Sequence, residues 1–151
     1  MPTFELTPSM MREIIMDHYQ NPRHKEKPSQ DGYKTLHASS TNCIDDFDLF
    51  VKEENGVIKD ALWDGVACTI STASTDILCD LVINEDSSKA LYIIDQYLKM
   101  IGEQPYDESV LDEALVFVNT SKQAARIHCA TMGWTTLKEI IEQDEDHHGG
   151  H

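Results

Sequence analysis

Basic residues are scarce in this sequence of 151 residues: 12 lysines and arginines stand against 27 aspartates and glutamates, a formal charge of −15. So acidic a chain offers no basic footprint for a phosphate backbone, and no nucleic-acid partner is expected. A partner with a basic surface fits better. No apolar run approaches the roughly 18 residues of a membrane span, so no membrane association is expected. The first residues, Met1 to Thr7, lack a positive segment followed by an apolar stretch. No secretory signal is read there, and the expected location is cytoplasmic. Cysteine is limited to four positions, Cys43, Cys68, Cys79 and Cys129. In a reducing compartment these are not expected to form a disulfide framework. They remain open to three roles: buried apolar thiols, metal ligands or reactive thiols.

Apolar residues make up 40% of the chain, enough for one domain with a continuous core, read here as residues 1–142. Thr7-Pro8 forms a helix start, with Met11, Ile14, Ile15 and His18 on one face and a stop at Asn21-Pro22. Residues 23–33 read as a loop. Three strand segments follow: 34–41, then one in which Phe47, Leu49 and Val51 alternate with Asp48, Phe50 and Lys52, then 57–63. Asn55-Gly56 marks a hairpin between the last two. From Cys68 the period becomes helical, through Ile70, Ala73, Ile77, Leu78, Leu81 and Val82. Further helices are read over 87–100, in a short piece over 109–118, and over 123–141. The expected fold is α+β, a three-stranded antiparallel meander packed with four to five helices. The polar segment 143–151 is read as a disordered tail, and its histidines, His147, His148 and His151, as part of it.

On this reading Cys43 lies in the loop between the first two strands, two residues before Asp45. Cys68 lies where the third strand gives way to a helix, near the positive end of that helix's dipole. Cys129 lies on the last helix, and Cys79 in a helix interior, where it reads as core. Three thiolates and a carboxylate would satisfy a tetrahedral zinc ion. The separations, 25 residues from 43 to 68 and 61 from 68 to 129, match no short zinc pattern. Spacing alone therefore leaves buried thiols the commoner alternative.

The surrounding residues narrow the choice. Asn21-Pro22-Arg23, Asn42-Cys43-Ile44-Asp45, the run from Trp63 to Ser71 that contains Gly65 and Cys68, and the run from Arg126 to Cys129 stand in order along the chain. They resemble the segments of the SufU/IscU family of iron–sulfur cluster assembly proteins, whose fold is SufE/NifU-like. The resemblance implies a metal site of Cys43, Asp45, Cys68 and Cys129, and leaves His128 open as a fourth or alternative ligand or as a helix histidine facing solvent. It also implies Cys43 as the residue that accepts sulfur. Arg126, three residues before Cys129 on the same helix side, is open to two roles: favouring a nearby thiolate or persulfide, or a surface ion pair with an acidic neighbour. Zinc is the implied metal, with iron or a [2Fe–2S] cluster as the alternative. The implied partners are a pyridoxal-phosphate-dependent cysteine desulfurase and downstream iron–sulfur carriers or apo-proteins.

The long stretch between Cys68 and Cys129 is similar to the SufU type, a zinc-dependent sulfur acceptor. His128 is similar to the IscU type, a cluster scaffold. The SufU type is the expectation here, because an insertion is a larger change than one substitution. Three positions depart from the family pattern: Asn42, Ile44 and Ala67, the last two in place of glycine. A β-branched residue pays heavily for positive φ, so a reshaped first loop, or a divergent non-catalytic paralogue, is the remaining alternative.

Overall fold

The computed structural model of the protein describes residues 6–40 and 44–149. Helix α1 spans Pro8–Gln20. The Thr7 hydroxyl accepts from the Met10 N–H at 3.1 Å, and Pro8 sits in the first turn, where no N–H is required. Asn21 still donates its N–H to the Asp17 carbonyl, and Pro22 prevents a further turn.

Strands β1 (Tyr33–Ser39), β2 (Asp46–Glu54) and β3 (Val57–Val66) form the expected antiparallel meander, with β2 central. Leu49 faces Leu36 on one side and Trp63 on the other, and Val51 faces Ala61. Phe47, Leu49 and Val51 are all buried. Asn55 and Gly56 adopt φ of 54° and 78°, the left-handed pair that a tight hairpin requires. The alternation is imperfect: Phe50 is buried too, opposite Leu62 on the other face, where the two side chains cover each other.

The segment before β1 is more than a loop. Trp63 donates its N–H to the His24 carbonyl at 3.0 Å, and Glu26 donates to the Trp63 carbonyl at 2.9 Å. Residues 24–26 therefore cover part of the outer edge of β3. The Ile58 backbone covers another part by pairing with Asn84 and Glu85. An edge protected in this way is a poor template for unwanted strand pairing.

Helices α2 (Thr69–Val82), α3 (Ser87–Ile101) and α4 (Ala124–Gly149) complete the core. The apolar period of α2 implies one buried face. In the structure Ser71 to Cys79 are all buried, because α1, α4 and β3 enclose the helix. Its polar residues can then find partners only inside the protein, and among the described residues the Ser71 and Thr75 hydroxyls are left without one. The Ser74 hydroxyl accepts from the Trp134 indole N–H at 2.8 Å and donates to the Ala130 carbonyl at 2.6 Å. Trp134 stacks on Tyr97 at 3.6 Å between ring centroids. One turn past Cys129, a Cβ on Gly133 would lie 2.5 Å from the Thr75 hydroxyl. This close crossing of α2 and α4 fixes where Cys129 lies relative to Cys68.

Two segments differ from the sequence reading. Residues 109–118 do not form one helix. Three short 3₁₀ turns occupy Glu108–Val110, Asp112–Phe117 and Thr120–Lys122, and Asp112 at φ 44° breaks the first from the second. Helix α4 continues past Ile141 to Gly149, so the segment read as a tail is helical to that point. Its acidic run contains no proline, and no glycine before 149, so nothing stops the helix there. Among the described residues, no helix is long and apolar enough to cross a membrane.

Candidate functional site

Three of the residues singled out in the sequence meet at one end of the sheet. Asp45 immediately precedes β2 and is only 1% exposed. One of its carboxylate oxygens accepts the Cys68 backbone N–H at 2.8 Å, and the other lies 4.0 Å from the Cys68 sulfur. Cys68 is the N-cap of α2, where its sulfur accepts the Ser71 N–H at 3.4 Å. Cys129 is half-buried near the start of α4. The ligand atoms of Asp45, Cys68 and Cys129 all lie within 4.8 Å of one another. Tetrahedral donors on a zinc ion sit roughly 3.5–3.8 Å apart, given bonds of about 2.0–2.3 Å. Two thiols and a carboxylate at this spacing fit such an ion after small side-chain movements.

Cys43 lies outside the described residues. His128 is exposed on α4 and stands outside the three-residue group. Arg126 is exposed and, with Cys68 and Cys129, lines a cleft of about 490 Å³. Arg12, Met16 and Ile70 line the same cleft. Arg12 carried no signal in the sequence, since an arginine on the polar side of an amphipathic helix reads as a solvated residue. Cys79 is fully buried, and burial pushes its thiol pKa well above the ordinary value, which makes it an inert core residue. Asp46 and Asp48 flank His37 on the outer face of the sheet, each 2.8 Å from one of its ring nitrogens.

The glycine pattern around the site also has a physical reading. Gly65 has φ +143°, and a Cβ there would overlap the Asp46 carbonyl, so this glycine is required. Ile44 and Ala67 stand where the family resemblance implies glycine. Ala67 is not among the residues with positive φ, so it carries no such strain. Ile44, Val66 and Met16 are exposed around the site, and Tyr19 lies in a neighbouring cleft beside Val66. These are four of the five large hydrophobic side chains exposed among the described residues.

A small α+β domain that gathers thiols and a buried carboxylate at a cleft, ringed by apolar side chains, has the makings of a protein that handles soft metals or sulfur. Comparison with known proteins makes the class specific. The NifU-like N terminal domain family matches residues 10–148, and the chain belongs to that family. It is 32% identical over 131 residues to the iron–sulfur cluster assembly scaffold protein IscU of Streptococcus pyogenes serotype M1, covering 86% of this chain and 81% of that one. It is 30% identical over 138 residues to the zinc-dependent sulfurtransferase SufU of Bacillus subtilis strain 168, covering 91% and 92%. In structure it is similar to FiSufU from Fervidobacterium islandicum AW-1, a protein assigned as a candidate iron–sulfur cluster assembly scaffold for the SUF system. That match has a TM-score of 0.79 at 25% identity and covers 83% of this chain and 92% of the other.

Proposed function

We propose that the protein works in iron–sulfur cluster biogenesis as a zinc-dependent sulfur acceptor, taking persulfide sulfur from a pyridoxal-phosphate-dependent cysteine desulfurase through Cys43. The observation that carries this reading is the convergence of Asp45, Cys68 and Cys129 at a cleft mouth. Similarity to a sulfurtransferase and to scaffold proteins supports it.

In this reading Cys43, Asp45, Cys68 and Cys129 hold zinc, and His128 stands by as a replacement ligand. Zinc, when bound, keeps thiol ligands deprotonated. Asp45 is fixed by the Cys68 N–H, and Cys68 and Cys129 are fixed by two helices whose crossing is set by Gly133 and Thr75. Cys43, two residues before Asp45 in the sequence, is the donor assigned to leave in this reading. Its thiolate attacks the outer sulfur of the partner's persulfide. A new sulfur–sulfur bond forms as the old one breaks, the partner's cysteine departs as thiolate, and no net oxidation occurs. The exposed ring of Met16, Ile44 and Val66 gives the partner an apolar rim to cover.

The test is desulfurase turnover. Wild-type protein is expected to stimulate cysteine consumption, and Cys43→Ala to leave it at background. Equal stimulation by both proteins would exclude Cys43 as acceptor. A second reading, assembly of a [2Fe–2S] cluster on the same residues for downstream carriers or apo-proteins, draws on His128 directly before Cys129. Anaerobic reconstitution separates the two: a stable cluster by visible spectroscopy favours the scaffold, and tightly held zinc without one favours transfer.

A further inference from the structure

The sequence contains three arginines, Arg12, Arg23 and Arg126. Arg23 is committed to Asp17 by an ion pair. The other two, from opposite ends of the chain, line the cleft that holds Cys68 and Cys129. Neither forms a salt bridge among the described residues. In a chain with 27 carboxylates and 12 basic side chains, two unpaired guanidinium groups at one opening are a local reversal of charge. Met16, one turn after Arg12, gives the cleft an apolar wall together with Ile70, which strengthens any charge interaction made there.

We propose that Arg12 is an anion-holding residue of this cleft, acting with Arg126 to receive the anionic sulfur of a donor persulfide beside the cysteines. The sulfur chemistry rests on the transfer reading above, whereas the anion site rests only on the cleft. The physical need is clear. A protein of charge −15 repels an anionic donor, and an attacking thiolate adds to that repulsion. A guanidinium offers a planar fork of N–H donors suited to an anion, and Arg12 supplies it from α1 while Arg126 supplies it from α4.

The experiment uses the full chain as purified. Alkylation of Cys68 and Cys129 by the anion iodoacetate and by neutral iodoacetamide is followed by mass spectrometry, with buried Cys79 as an internal check on folding. A single charge removed near the thiols is expected to lower the iodoacetate-to-iodoacetamide rate ratio about three- to tenfold in Arg12→Ala. A larger drop is expected in Arg12→Glu, and most of the ratio should return in Arg12→Lys. A loosened structure would raise both rates together and expose Cys79, so it cannot imitate this result. An unchanged ratio in Arg12→Glu overturns the proposal.

A second arm measures desulfurase turnover against protein concentration. Arg12→Ala is expected to raise KM for the protein at least threefold with kcat little altered. If wild type is stimulated normally and Arg12→Glu matches it in KM and in rate ratio, the anion site fails and sulfur transfer stands. If the ratio depends on Arg12 but wild type gives no stimulation, the anion site stands and sulfur transfer fails.

Discussion

Replacing Asp76 by asparagine is expected to cost about 3–5 kcal/mol of folding stability, a large share of the roughly 5–15 kcal/mol typical of a domain. Asp76 lies inside α2 and is fully buried. One carboxylate oxygen accepts from the His24 N–H at 2.9 Å and the Trp63 indole N–H at 3.3 Å. The other accepts from His18 Nδ1 at 2.8 Å and the Arg23 N–H at 3.0 Å. Four donors aim at two oxygens, so an amide NH₂ in either place would face two N–H groups. The other ring nitrogen of His18 lies 2.9 Å from Glu113. When the ring is protonated both nitrogens donate, one to each carboxylate, so the arrangement favours the imidazolium form. Urea unfolding at pH 6 measures the loss, and a change under about 1 kcal/mol would show that the cluster does not anchor the fold.

The same cluster sets a pH window. Burial works against the His18 charge, but Asp76 and Glu113 outweigh it and raise the pKa above the ordinary 6.5. That contribution to stability is complete below pH 6.5 and disappears as pH rises through the folded-state value. Burial also works against the Asp76 carboxylate, but its hydrogen bonds with His18, Arg23, His24 and Trp63 outweigh it and hold its pKa below the ordinary 3.8. Its contribution is present above 3.8 and disappears as pH falls through the folded-state value. Stability from the pair is therefore expected to be greatest between about pH 4 and 6.5. In His18→Gln the His18 part of the decline above pH 6.5 should vanish, leaving the smaller part from exposed His37, as urea midpoints across pH would show.

Much of this architecture is legible in local pattern. The meander follows from alternation in β2 and from Asn55-Gly56, and α1 from Thr7-Pro8 and Asn21-Pro22. The cluster around Asp76 is not legible. A histidine on the apolar face of α1 and an aspartate within an apolar helix each look like ordinary amphipathic residues. Only the enclosure of α2 by α1, α4 and β3 shows that both must be satisfied internally. The site divides the same way. Cys68 at a strand-to-helix junction and Asp45 near a strand start were readable as candidates, and the structure brings them together with Cys129. Arg12 was unreadable, because its meaning depends on the cleft that residues of α1, α2 and α4 line together. The two observations are linked: Asp76 binds the backbone just beyond α1, and α1 carries Arg12 and Met16 to the cleft. Loosening the Asp76 cluster should therefore disturb the cleft wall as well as the core.

Asp45→Asn is expected to weaken zinc binding by at least 10–100-fold, the loss typical even for groups that only support a metal ligand, while leaving the fold nearly intact. The substitution is nearly isosteric, and its carbonyl oxygen can still accept the Cys68 N–H that Asp45 accepts at 2.8 Å. What disappears is the negative charge and one oxygen donor beside the thiols. Cys68→Ala should lose zinc too, but it also removes the sulfur that caps α2 through the Ser71 N–H. A fall in stability without metal is therefore expected for Cys68→Ala and not for Asp45→Asn. Competition against a chromophoric chelator gives the affinities, and thermal unfolding with and without chelator gives the coupling. A ligand at 100 times its Kd adds about 2.7 kcal/mol, so chelator should lower the Tm of wild type and leave Asp45→Asn almost unmoved. Cys79→Ala supplies the opposite pattern, a lower Tm with zinc affinity unchanged, because its thiol is sealed in the core. Should Asp45→Asn hold zinc as tightly as wild type, the carboxylate would be a clamp on the α2 N-terminus and no ligand at all.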